Sequence, residues 1–113
     1  MSTIITRDEV KKKIESGAVT LVEALPAMHY EQEHLPGALN LPHDEVDRLA
    51  PALLPDKQAE IIVYCANSPC PNSRIAARRL AELGYARVYD YDAGKEDWVS
   101  AGLPTETGAP ARR

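Results

Sequence analysis

Cys65 and Cys70 are the residues of this chain best suited to nucleophilic chemistry. A thiolate attacks electrophilic sulfur or phosphorus without a metal, provided its surroundings favour the anion. Cys65 directly follows an unbroken apolar run, Ile61-Ile62-Val63-Tyr64, which reads as a buried, parallel strand. After a short Pro-rich loop, Ile75 to Leu83 supplies good helix formers, and Gly84 is a natural stop. A thiol on a strand-to-helix loop lies where open α/β sheets place their ligands. The exposed N–H groups and dipole of the following helix lower a thiol's pKa. The same pattern also suits a small buried hydrophobe, as free cysteines often are, and the local sequence leaves both readings open.

Cys70 is a resolving thiol that closes a disulfide with Cys65, a second thiol sharing whatever chemistry Cys65 performs, or a loop residue with no chemical duty; the flanking Pro69 and Pro71 restrict closure. The spacing Cys65-x4-Cys70 lacks the second Cys or His pair that zinc needs, so no metal and no other cofactor is expected. Ser73 suits a helix N-cap. Two further polar residues are candidates for supporting roles. Glu23 stands at the end of an apolar strand pattern, on the same side of the sheet as Cys65, and is either loop-facing or an ordinary strand-edge carboxylate. His34 is a possible acid or base, or a hydrogen-bonded structural residue.

The elements that position these groups follow in order. Ile4-Ile5 suits a short strand, and Thr6 with Glu9 has the capping-box form that starts a helix over Arg7–Ser16, ended by Gly17. Lys11-Lys12-Lys13 is the solvated face of that helix rather than a basic patch. Val19–Ala24 is a strand closed by Pro26, and Met28–Glu33 a short helix with Tyr30 inward. Pro36-Gly37 marks a tight turn before a short strand at Ala38–Leu41. His43–Ala50 predicts a helix, with Pro51 and Pro55 breaking the pattern after it. Ala86–Tyr91 is a further strand, and Glu96–Ala101 a helix anchored by Trp98. Thr105–Arg113 is polar and expected to fray. Alternating strands and helices indicate a single α/β domain with a mostly parallel central sheet flanked by helices on both faces.

The bulk numbers agree with this outline. At 113 residues, 44% hydrophobic and 27% charged, the chain has the size and composition of one globular domain. A net charge of −4 favours neither nucleic acid nor an anionic membrane as a partner. No apolar run approaches the roughly 20 residues of a membrane span, and the first residues lack a signal-peptide core, so a cytoplasmic protein is expected.

Four segments, taken together and in order, resemble the rhodanese (sulfurtransferase) domain family. Thr20-Leu21-Val22-Glu23 resembles a strand that usually ends in an Asp-Val-Arg-like run. Tyr30 with His34-Leu35-Pro36-Gly37-Ala38-Leu39-Asn40-Leu41-Pro42 is close to the family's H-[IL]-P-G-A-x-N-[IL]-P signature. Ile62-Val63-Tyr64-Cys65, Ser73, Ala76-Ala77, Leu80 and Gly84-Tyr85 resemble its catalytic strand, loop and helix. Gly94, Trp98 and Ala101-Gly102-Leu103-Pro104 resemble its closing segment. The resemblance implies a rhodanese-like domain over 1–106, with a flexible tail over 107–113.

It further implies that Cys65 takes a sulfane sulfur from a donor such as thiosulfate and passes it, as a persulfide, to a thiol, a cyanide-like acceptor or a partner protein. The implied anion-binding loop is Ala66, Asn67, Ser68, Cys70, Asn72, Ser73 and Arg74. Three departures from the family pattern stand out. The loop is two residues longer than Cys-x-x-Gly-x-Arg-Ser, it holds Pro69 and Pro71 but no glycine, and Glu23 and Leu25 replace the early Asp and Arg. Each proline removes an N–H donor. Two rival readings remain. A catalytically weak module could act as a thiol redox sensor or interaction domain through Cys65 and Cys70. The longer loop could take a larger oxyanion, as in related phosphatase and arsenate-reductase domains, although their Cys-x5-Arg pattern would need Arg where Pro71 stands.

Overall fold

The computed structural model describes residues 3–108. Five strands, β1 (Thr3–Ile4), β2 (Val19–Glu23), β3 (Leu39–Asn40), β4 (Glu60–Tyr64) and β5 (Arg87–Tyr91), form one sheet in the order β1-β5-β4-β2-β3. Every pairing is parallel. The apolar run therefore occupies the middle strand. Ile61 and Val63 face one core, with Val22, Ala76 and Leu80, and Ile62 and Tyr64 face the other, with Leu21, Tyr91 and Trp98. Burial on both faces is what a continuous rather than alternating apolar pattern predicts. The edge strands β1 and β3 contribute only two residues each.

Five helices connect the strands: α1 (Arg7–Ser16), α2 (Ala27–Gln32), α3 (Val46–Leu53), α4 (Asn72–Glu82) and α5 (Gly94–Ser100). The capping box of Thr6 and Glu9 is present, and Gly17 closes α1 in the left-handed conformation. Tyr30 is buried, and its hydroxyl donates to Ala38 O across the Pro36-Gly37 turn.

Three expectations need correction. The helix predicted over His43–Ala50 begins only at Val46 and runs through Pro51. The missing Pro51 N–H costs this eight-residue helix one bond, and the Leu54 N–H still closes its end on Ala50 O at 2.7 Å. Ser73 is not an N-cap. Pro71 has helical backbone angles (φ −84°, ψ −6°), so α4 starts at Asn72 and Ser73 sits inside its first turn. Finally, the stretch expected to fray from Thr105 is docked. Glu106 makes an antiparallel bridge with His34, and the Gly108 N–H donates to Glu31 O at 3.0 Å. Of the tail expected over 107–113, residues 109–113 lie outside the described residues. Among the described residues no helix is long and apolar enough to cross a membrane, and no group of Cys, His, Asp and Glu could hold a metal ion.

Candidate active site

The carboxyl end of β4 delivers Cys65 to the mouth of the sheet, and α4 starts seven residues later. The first N–H groups of a helix have no partner within it. That of Ser73 donates to Cys65 Sγ at 3.4 Å, while the Cys65 thiol lies 3.4 Å from the Cys70 carbonyl and donates to it. The sulfur thus contacts two backbone groups of the loop, and Cys65 has no exposed surface. Burial pushes the thiol up to about 11, against the opposing pull of Ser73. The lowered pKa expected from the helix N-terminus is therefore not found: burial outweighs one N–H bond at this length.

The second thiol of the loop lies in a different electrostatic setting. The Cys70 N–H turns back to Asn67 O at 3.1 Å. Burial works against ionising Cys70, yet the Cys65 thiol and the backbone N–H groups of Asn72 and Ala66 together hold it below its ordinary value. Cys70 is also partly exposed. Of the candidate loop residues, Cys70 and Ser73 contact Cys65 Sγ, and Ala66 and Asn72 favour the Cys70 anion. The others do not. Asn67 Nδ2 reaches Glu96 Oε2 at 3.5 Å, Ser68 is exposed, and Arg74 is exposed along a groove of about 740 Å³ that it lines with Ile4, Ile75 and Arg78.

Glu23, paired in register with Tyr64, has no exposed surface. Its carboxylate accepts from Tyr64 Oη at 2.8 Å and from Lys95 Nζ at 3.1 Å. Burial raises its pKa against the pull of Lys95. Lys95 is the residue the sequence reading missed. It supplies a cation from α5 beside a carboxylate that lacks the family's nearby Arg, and its N–H donates to Cys65 O at 2.8 Å. The Glu96 N–H likewise donates to Ala66 O at 2.8 Å. Gly94 permits this approach: a Cβ there would stand 2.6 Å from Cys65 O. The available signal was the position of Lys95 directly after a glycine that resembles the family pattern.

His34 is a strut. Its ring stacks on Tyr30 at 3.8 Å, Nδ1 lies 2.8 Å from Tyr30 O, and Nε2 lies 3.7 Å from the Glu106 carboxylate. Behind the first turn of α4, Asp90 is 2% exposed, and burial raises its carboxyl pKa. Among the described residues neither Asp90 Oδ1 nor Ser73 Oγ has a partner in hydrogen-bonding geometry, although Ser73 is near enough to oppose the rise of the Asp90 pKa.

The parallel sheet and the cysteine-bearing strand-to-helix loop define a rhodanese-type α/β domain. A family model for the rhodanese-like domain matches residues 6–101, and the chain belongs to this family. It is 30% identical over 105 residues to the thiosulfate sulfurtransferase GlpE of Actinobacillus pleuropneumoniae, covering 93% of this chain and 94% of that protein. It is 40% identical over 107 residues to the HTH-type transcriptional regulator Rv0324 of Mycobacterium tuberculosis, covering 94% of this chain but only 46% of the regulator. Among solved structures, the BH2092 protein of Bacillus halodurans superposes with a TM-score of 0.86 at 25% identity, covering 99% of this chain and 82% of that one.

Proposed function

We propose that this domain is a sulfurtransferase in which Cys65 carries the sulfur. The observation that supports it most is the placement of Cys65 Sγ at the carboxyl end of the central strand, with the Ser73 N–H directed at it. The Cys65 thiolate attacks the outer sulfur of a donor such as thiosulfate. The sulfur–sulfur bond of the donor breaks, sulfite leaves with the electron pair, and Cys65 keeps a persulfide. A thiol, cyanide or a partner protein then takes the outer sulfur. Two features of the resting site set the conditions. The thiol must lose its proton from a pKa of about 11, and the loop over it must lift to admit the donor.

The test is intact-mass analysis after thiosulfate treatment. In the first moments after thiosulfate is added, before any thiol discharges the persulfide, the wild type gains one sulfur and Cys65→Ser gains none; an unchanged gain in the variant removes Cys65 from the role.

A second reading is a thiol sensor with weak or no transfer activity. The burial of Cys65 and the similarity to a protein named as a transcriptional regulator favour it. Reversible formation of a Cys65–Cys70 disulfide under mild oxidation, without sulfur uptake from thiosulfate, would establish it over the first.

A further inference from the structure

Resting on the reading of Cys65 as the sulfur carrier, we propose that Cys70 is a resolving thiol, which discharges the Cys65 persulfide as hydrosulfide and leaves a Cys65–Cys70 disulfide. The loop brings the backbone of Cys70 against the Cys65 sulfur. The Cys70 N–H bond to Asn67 O folds the loop tip back, so that the Cys70 carbonyl lies 3.4 Å from Cys65 Sγ. Prolines on both sides of Cys70 have fixed φ angles and hold that fold. Cys65, Asn72 and Ala66 hold the Cys70 thiol below its ordinary pKa, which favours its anion. The nucleophile and the electrophile thus share one short loop whose fold already brings residue 70 back to Cys65.

The step balances without an external oxidant. Cys70 thiolate attacks the sulfur bonded to the Cys65 side chain. The bond to the outer sulfur breaks, and that sulfur, carrying the persulfide proton, departs with the electron pair as hydrosulfide, a weaker base than an alkyl thiolate and so the better leaving group; the proton that Cys70 gave up to become a thiolate passes to water. The sulfane sulfur is reduced, and the two cysteines are oxidised to the disulfide. A dithiol reductant then restores both thiols, itself becoming a disulfide. The net reaction takes thiosulfate and a dithiol to sulfite, hydrosulfide and an oxidised dithiol.

Reduced, desalted full chain is given thiosulfate with no added thiol, and hydrosulfide release and intact mass are followed. The wild type is expected to release hydrosulfide stoichiometric with protein and to end two hydrogens lighter, with Cys65 and Cys70 joined in the peptide map. Cys70→Ser is expected to take up sulfur on Cys65, to hold it, and to release hydrosulfide only at background; Cys70→Ala guards against an effect of the serine hydroxyl. A wild-type persulfide as long-lived as that of Cys70→Ser overturns the proposal and leaves Cys65 as the carrier. Absence of sulfur uptake by both wild type and Cys70→Ser overturns the carrier reading and this inference with it.

Discussion

Gly94→Ala tests the physical account of the site most sharply, because its cost divides into two parts. Gly94 has φ +72°, in the left-handed region, where a side chain costs about 1–2 kcal/mol. Its new Cβ would also meet Cys65 O at 2.6 Å and Ala66 C at 2.9 Å. Those are backbone atoms of the strand end and loop, so they cannot swing aside as a flexible side chain would. Overpacking of this kind adds about 1–3 kcal/mol. Gly102 supplies the control. Its φ is +75°, but a Cβ there meets nothing within 4 Å, so Gly102→Ala carries only the first part.

Urea unfolding measures both variants. A loss near 3 kcal/mol for Gly94→Ala lowers the midpoint by about 1–3 M, and Gly102→Ala falls well short of that. The second readout is local. Displacing Cys65 and Ala66 breaks their bonds from the Lys95 and Glu96 N–H groups, so Cys65 reacts faster with a thiol reagent in Gly94→Ala and at the wild-type rate in Gly102→Ala. Equal stability losses and equal Cys65 reactivity in the two variants would refute the view that α5 braces the cysteine through a bare Cα.

Three further outcomes follow from the electrostatics. Lys95→Met leaves the buried Glu23 carboxylate without its cation and costs about 3–5 kcal/mol at neutral pH. The loss shrinks as pH falls through the raised range of Glu23 and the carboxyl takes up a proton, and Glu23→Gln restores part of it; a loss independent of pH in chemical denaturation would mean that lost packing, not charge, is responsible. Asp90 has a raised pKa, so its contribution is most favourable below its ordinary value of 3.8 and becomes unfavourable as pH rises through the raised value. Asp90→Asn is therefore more stable than wild type at neutral pH, by about 1–3 kcal/mol, and loses that advantage in acid; the same denaturation series at two pH values decides it. Because the Cys65 thiol is pushed up to about 11, the rate at which it takes sulfur from thiosulfate rises with pH across the neutral and alkaline range, and a flat profile by quenched-flow mass analysis would show that the thiolate is already present.

Features coded by neighbouring residues were readable from the sequence. The continuous apolar run of β4, the capping box and glycine stop of α1, the inward Tyr30 and the Trp98 anchor all depend on local spacing, and all stand where that spacing puts them. The all-parallel sheet follows from the alternation of strands and helices. What escaped depends on distant partners or on the direction of single peptide groups. Lys95 meets Glu23 across 72 residues of chain, and Glu106 meets His34 across a comparable separation, so no periodicity announces either. Pro51 reads locally as a stop, but the packing of Val46 and Ala50 keeps α3 going. In the loop, residue types identify a sulfur site, and Pro69 and Pro71 fix their own φ, but the remaining rotations that aim the Ser73 N–H at Cys65 and the Cys70 N–H at Asn67 O are not specified by residue type.

The two-residue margins β1 and β3 bear on how this domain coexists with its neighbours. A free strand border recruits other chains through its row of unsatisfied amides, and the hazard grows with its length. Among the described residues each border offers only two residues of main chain, a short template for a further strand, so pairing of copies edge to edge is weakly favoured.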